Sequence, residues 1–306
     1  MLITSYHTPV MLNQCLSGLN LRPDGVYVDL TFGGGGHSKA ILSKLGEKGR
    51  LFAFDQDLDA IDNARQLESD NRLSFIRSNF RYIKNWVEYY DIEPDGILAD
   101  LGVSSHHLDE GERGFSFRSD APLDMRMNRK SQLTAEQVVN EYSEEQLTRI
   151  LRLYGEVRDA HRVARAIVKG REGSPIPTTG ALSEVVARVL PHDREKKELT
   201  KVFQALRIEV NGEMEALAAM LRGATEVLKP GGRLVVISYH SLEDRLVKNM
   251  IRSGNTEGDV EQDIYGNTRS PLRAVGKGVT TPDEEETEHN PRSRSAKLRV
   301  AEKVEI

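Results

Sequence analysis

Four consecutive glycines, Gly33 to Gly36, with His37 behind them, and two acids further on, Asp55 and Asp100, are the residues whose type and spacing best suit ligand chemistry. Glycine accepts positive φ and has no Cβ, so such a run can turn sharply and lie against a ligand. The free amides of a helix that begins there offer hydrogen bonds to a polar or anionic group. Asp55 follows Gly35 by 20 residues, the separation at which an acid at the tip of the next strand accepts hydrogen bonds from both hydroxyls of a ribose. An N-cap role beside Asp57 and Asp59 is the alternative. Counted from Gly33, the dinucleotide pattern Gly-x-Gly-x-x-Gly meets Gly35 and then Ser38, so that fingerprint is incomplete. Read alone, the run is either a nucleotide-type turn or a plain structural one. Phe80, behind Ser78 and Asn79, offers a face to a purine ring or fills the core.

These side chains need strands to carry them. Val26-Tyr-Val-Asp-Leu30 reads as a buried strand running into the glycines, with a helix from about Lys39 to 45. Strands are expected over 50–55 and 72–77 and from Asp95 to Asp100, alternating with helices, which predicts a doubly wound parallel sheet with ligands outside the carboxyl ends of its strands. Asp55, Phe80 and Asp100 all fall at that edge. From 108 to 209 the periodicity is helical throughout, with Ser143 and Ser183 as candidate caps, so the chain divides into 1–107, an all-helical insertion over 108–209, and 210–306. Within the insertion Arg158, Arg162, Arg165 and Lys169 fall on one helical face, either a solvated stripe or a phosphate contact. A fifth strand over 233–241 returns the chain to the sheet and ends in Tyr239 and His240. An acidic loop at 283–286 and the loop cations Arg292 and Arg294 precede the last strand, over 296–304.

A length of 306 residues favours two units over one, and 38% hydrophobic with 29% charged residues suits a folded core. Apolar runs fall far short of the roughly 20 residues that span a bilayer, and the first residues lack a basic, then apolar, export signal. A cytoplasmic protein is expected. Cys15, the one cysteine, can form no internal disulfide and anchor no cysteine-based zinc site, and no metal is expected. A net charge of −5 argues against binding nucleic acid by bulk electrostatics, so any such partner must be met by local patches.

Thr31-Phe-Gly-Gly-Gly-Gly-His-Ser38, Asp100-Leu-Gly-Val-Ser-Ser105, Glu112-Arg-Gly-Phe-Ser-Phe117, Pro122-Leu-Asp-Met-Arg-Met127, Phe203 to Asn211, Ser238-Tyr-His-Ser-Leu-Glu-Asp-Arg245 and Asn290-Pro-Arg-Ser-Arg-Ser295 together resemble one family. It is the bacterial 16S rRNA cytosine-N4 methyltransferase H, or MraW, family. The likeness runs over essentially the whole chain, His7-Thr-Pro-Val10 included. It implies a Rossmann-like α/β methyltransferase dependent on S-adenosyl-L-methionine, with a helical insertion, acting on N4 of a cytidine in the decoding region of 16S rRNA. It further implies cofactor contacts at Gly35, Gly36, His37, Asp55, Phe80, Asp100 and His107. The last departs from the family, which commonly reads Ser-Ser-Pro-Gln-Leu-Asp where this chain has Ser104-Ser-His-His-Leu-Asp109. The small ribosomal subunit is the partner expected, and the enzyme is a monomer or homodimer.

Methyl transfer from a sulfonium is an in-line displacement, so alignment in a water-poor pocket carries most of the rate. The cytosine amine is a weak nucleophile, its lone pair delocalised into the ring. An acceptor on its N–H, Asp100 or the backbone of Val103 to Ser105, would help it lose a proton, with the base unstacked onto Tyr239 or His240. A nicotinamide oxidoreductase is the rival reading of the sheet pattern, disfavoured by Ser38. A non-catalytic RNA-binding factor with a degenerate cofactor site is the other.

Overall fold

The computed structural model describes residues 9–102, 111–262, 265–266 and 269–305. Among them the strands β1 (Val26–Asp29), β2 (Arg50–Asp55), β3 (Leu73–Arg77), β4 (Gly96–Asp100), β5 (Arg233–Ser238), β6 (Leu272–Ala274) and β7 (Lys297–Lys303) make one sheet, in the order β3-β2-β1-β4-β5-β7-β6. The first five pair in parallel, while β7 runs antiparallel to both β5 and β6. The sequences follow this division. The strands β2, β4 and β5 are near-continuous apolar runs buried on both faces, whereas β7 mixes charged with apolar residues and has most of them half-exposed. The strand order reverses between β1 and β4, which opens a crevice at their carboxyl ends.

The chain divides into two compact units, Met1–Gly102 with Met214–Ile306, and Val103–Glu213. In the first, α1 (Leu12–Leu19), α2 (Gly36–Leu42), α3 (Asp59–Arg65) and α4 (Ile83–Tyr90) cover the sheet. Its cores lie on the two faces: Val28, Phe54, Ile97, Val236, Leu217 and Met220 meet on one, and Met11, Cys15, Tyr27, Leu98, Val235 and Ile237 on the other.

The second unit holds α5 (Ala135–Glu141), α6 (Glu144–Leu153), α7 (Ala160–Arg171), α8 (Thr179–Ala187) and α9 (Glu195–Asn211). They close around a separate core that includes Leu123, Val138, Leu151, Val163, Ile167 and Leu206. Capping boxes start α5 (Thr134 with Gln137) and α6 (Ser143 with Gln146), each satisfying amides that the helix cannot. Two expectations fail here. The cap of α8 is Thr178, whose side chain accepts from the Ala181 amide; Ser183 lies inside the helix and donates to the Thr179 carbonyl. Arg158 precedes α7, so only Arg162, Arg165 and Lys169 share its helical face. The helix α9 runs on to Asn211, whose side chain bonds the Met125 carbonyl and the Met127 amide, both at 2.8 Å.

The last helices are α10 (Glu213–Val227), α11 (Ser241–Ser253) and α12 (Glu284–His289). The third corrects the acidic loop read at 283–286. Asp283 accepts from the Glu286 amide at 2.8 Å and three glutamates fill the first turn, where the partial positive charge of a helix start favours them.

Candidate functional site

Three strands end in an acid at the crevice: β1 in Asp29, β2 in Asp55 and β4 in Asp100. Asp29 is 1% exposed, and its carboxylate organises the turn that follows. It accepts from the Ser38 hydroxyl at 2.6 Å and from the Thr31 amide at 3.1 Å. The Thr31 hydroxyl accepts in turn from the Asp100 amide at 2.7 Å, tying the end of β1 to the end of β4. Burial pushes the Asp29 carboxyl above its usual range, with His37 and the Ser38 bond opposing.

Between Asp29 and Ser38 the glycines make the turn. Gly33 and Gly35 have φ of 50° and 75°, and α2 starts at Gly36. A Cβ on Gly33 would stand in open space, one on Gly35 would come within 2.8 Å of the Phe32 ring, and one on Gly36 within 2.4 Å of Pro9. The backbone here is thus bare toward a ligand on one side and tightly packed on the other.

Asp55 crosses to this turn. Its Oδ2 accepts from the Gly33 amide at 2.8 Å and its Oδ1 from the Asp57 amide at 2.9 Å. The N-cap alternative does not hold, since Leu58 occupies the N-cap position of α3. The ends of β2 and β3 are joined by the Ser78 amide on the Asp55 carbonyl and by Asn79 on Gln56, both between side chains or backbone at hydrogen-bond distance. Phe80 begins the 3-10 turn after β3, half-buried and packed against the core.

Asp100 lies beside the turn. Its Oδ1 accepts from the Tyr239 hydroxyl at 2.8 Å, and its Oδ2 is 3.9 Å from His37 Nδ1. His37 is 6% exposed and its Nε2 faces the Val10 carbonyl at 3.1 Å, so that nitrogen carries a proton and donates it. Burial pushes the Asp100 carboxyl up, with His37 and the Tyr239 bond pulling it back, while one-fifth of the side chain stays accessible. The Tyr239 hydroxyl is pushed up by burial and by Asp100. His240 caps α11, accepting from the Glu243 amide.

Gly33, Gly35, Gly36, His37, Asp55 and Asp100 are therefore brought together, with Phe80 at the neighbouring strand end. His107 lies outside the described residues, as do Val103, Ser104 and Ser105. Asp29 and the joining role of Thr31 are additions that the structure makes to the expected residues. The signal was present: an acid at the end of a strand, four residues before a glycine run. Among the cations, Arg162, Arg165 and Lys169 are exposed, and Glu144 lies 3.4 Å from Arg165. Arg294 is exposed and Arg292 half-buried, both in the 3-10 turn Pro291–Ser295.

The family model of the MraW methylases matches residues 4–304. The chain belongs to this family. It is similar to the ribosomal RNA small subunit methyltransferase H of Bacteroides thetaiotaomicron, with 59% identity over 300 residues that cover 98% of each chain. The relative of that name from Christiangramia forsetii is 51% identical over 305 residues, covering 99% of this chain and all of the relative. Among solved structures, an rRNA methylase described as putative from Clostridium thermocellum aligns over 98% of this chain and 99% of its own, at 14% identity and a TM-score of 0.46. Members of the family are methyltransferases that use S-adenosyl-L-methionine, and so is this protein. The residues present suit that cofactor: a bare glycine backbone at a helix start, and a carboxylate at the next strand end. Bound there, the cofactor supplies an electrophilic methyl group.

Proposed function

We propose that this methyltransferase acts on the N4 amine of a cytidine in the decoding region of 16S rRNA, on the assembled small ribosomal subunit in the cytoplasm. The observation that carries the reading is the end-to-end likeness to relatives named for small-subunit ribosomal RNA, at up to 59% identity. In this reading Asp55 takes the ribose hydroxyls, the backbone of Gly35, Gly36 and His37 lines the cofactor, and Phe80 lies along the adenine. Asp100 accepts a hydrogen bond from the cytosine amine. Its Oδ1 is held by Tyr239, which leaves Oδ2 to receive the amine N–H and fixes the direction from which the base must approach. As the amine gains its fourth substituent it becomes acidic, and the same oxygen stabilises the developing N–H charge. The buried surroundings strengthen that interaction by excluding water. The helical unit Val103–Glu213 serves substrate recognition.

The pre-shaped subunit is preferred over free RNA for an electrostatic reason. With net charge −5 the protein gains little from the general phosphate field, and a few local cations cannot order a flexible RNA as well. Methyl-labelled cofactor is incubated with assembled small subunits and with protein-free 16S rRNA at equal salt, and the RNA is digested to nucleosides. Label eluting as N4-methylcytidine is expected, with protein-free RNA at least about tenfold poorer. Label on another nucleoside would refute the amine, equal rates the subunit preference, and no label the enzyme reading.

A further inference from the structure

Glu286 sits in α12, remote in sequence from the site, yet its Oε1 accepts the backbone N–H of Met11 at 2.6 Å, across 275 positions. Nothing in the chemistry above uses this contact. Met11 is fully buried and left-handed, with φ 50° and ψ 40°, a conformation that a residue with a side chain keeps only where its surroundings hold it. The carbonyl of the preceding residue, Val10, accepts from His37 Nε2 at 3.1 Å. One residue earlier, Pro9 lies so close to Gly36 that a Cβ there would come within 2.4 Å of its ring. Three consecutive residues thus lie along the helical end of the glycine turn, fastened at one point by His37 and at another by Glu286. His37 faces Asp100 on its other side, at 3.9 Å.

We propose that Pro9, Val10 and Met11 form a strap that holds the cofactor turn in its binding-competent shape, and that Glu286 is the positioning residue that fixes the strap. The proposal rests on the reading of this turn as the S-adenosylmethionine site. Losing the Glu286 acceptor leaves the buried Met11 amide without its partner and frees Met11 to return to an extended conformation. That return carries the Val10 carbonyl off His37 and Pro9 off Gly36. Cofactor then binds only the fraction of molecules that still hold the strap in place, and the apparent affinity falls by that fraction. Glu286 touches none of the reacting atoms, so the rate at saturating cofactor is unaffected.

Calorimetric Kd for S-adenosylmethionine, and KM and kcat on subunits, are measured for the parent, Glu286→Ala and Glu286→Gln, with Asp55→Ala as reference. Glu286→Ala is expected to raise Kd and KM about tenfold with kcat within about twofold, while Glu286→Gln, which keeps a carbonyl acceptor, stays within about threefold of the parent. Asp283→Ala provides a second route if Glu286→Ala folds poorly. It removes the exposed cap that orients the Glu286 turn, and a Kd raised by about threefold is expected. Unchanged affinity in Glu286→Ala, or in Asp283→Ala where that variant stands in, with Asp55→Ala weakened, would overturn the strap and leave the turn reading intact. Loss of kcat in step with affinity, without rescue by glutamine, would also overturn it. Unchanged affinity in Asp55→Ala would instead remove the turn reading and the strap with it.

Discussion

Tyr239 donates its hydroxyl to Asp100, and that bond favours the ionised carboxylate that burial opposes. Tyr239→Phe removes the donor, so the carboxyl rises further. Since the amine needs an ionised acceptor, activity is lost as pH falls through that pKa, and the acid limb of the single-turnover profile should move to higher pH. An unmoved limb would take Asp100 out of the proton-accepting role. Asp29 gives a stability readout of the same physics. Its folded pKa is raised above its unfolded value, so unfolded chains ionise first and stability is lost as pH rises through that window. Asp29→Asn stays neutral and should gain on the parent as pH rises above the ordinary carboxylate range, read from urea melts at a series of pH values. For the cofactor, Asp55→Ala should lose on the order of 2 to 4 kcal/mol of S-adenosylmethionine affinity by calorimetry, because hydrogen bonds to a charged group go unmade and the Gly33 amide loses its acceptor.

At the level of elements, the helix starts provide a direct comparison. Ser143→Ala and Thr178→Ala each remove a side-chain acceptor from a helix start and should cost about 1 kcal/mol in thermal or urea unfolding. Ser183→Ala removes a hydroxyl that only donates back to the preceding turn, so a change within about 0.5 kcal/mol is expected. These three residues also show what sequence could tell. Ser143 was legible because Gln146 stands at the box spacing, whereas Ser183 has only Glu184 beside it, with Val186 at the box position, and lies inside a helix that had already begun at Thr179. The apolar runs disclosed the sheet because burial on both faces leaves no polar alternation. The glycine turn, Asp55 and Asp100 were legible because each sits at a strand end, a position set by short-range pattern. Asp29 occupies an equally legible strand end, but its place in an apolar run makes it read as part of the strand. The grip of Glu286 on Met11 was not readable, because it joins two segments 275 positions apart through a backbone amide that carries no side-chain signature.

At the scale of the molecule, the second unit has its own buried core, with no member drawn from the sheet unit among the described residues. Replacing Val103–Glu213 by a short linker should therefore leave a sheet unit that melts cooperatively and binds cofactor, with methylation of subunits abolished. Global unfolding would show that its core depends on the insertion. Reversing Arg162 and Arg165 to Glu should lower methylation at least about tenfold at physiological salt if α7 meets phosphate, with cofactor binding unchanged as the control. The position of β7 has a consequence for synthesis. It lies between β5 and β6 although it is made after both, so each waits on the nascent chain with a hydrogen-bonding edge open to any neighbouring strand. Truncation before Lys297 would make that interval permanent, and the expected fate of such a fragment is edge-to-edge association with its own copies, a hazard that the full chain ends only as its last strand slides into place.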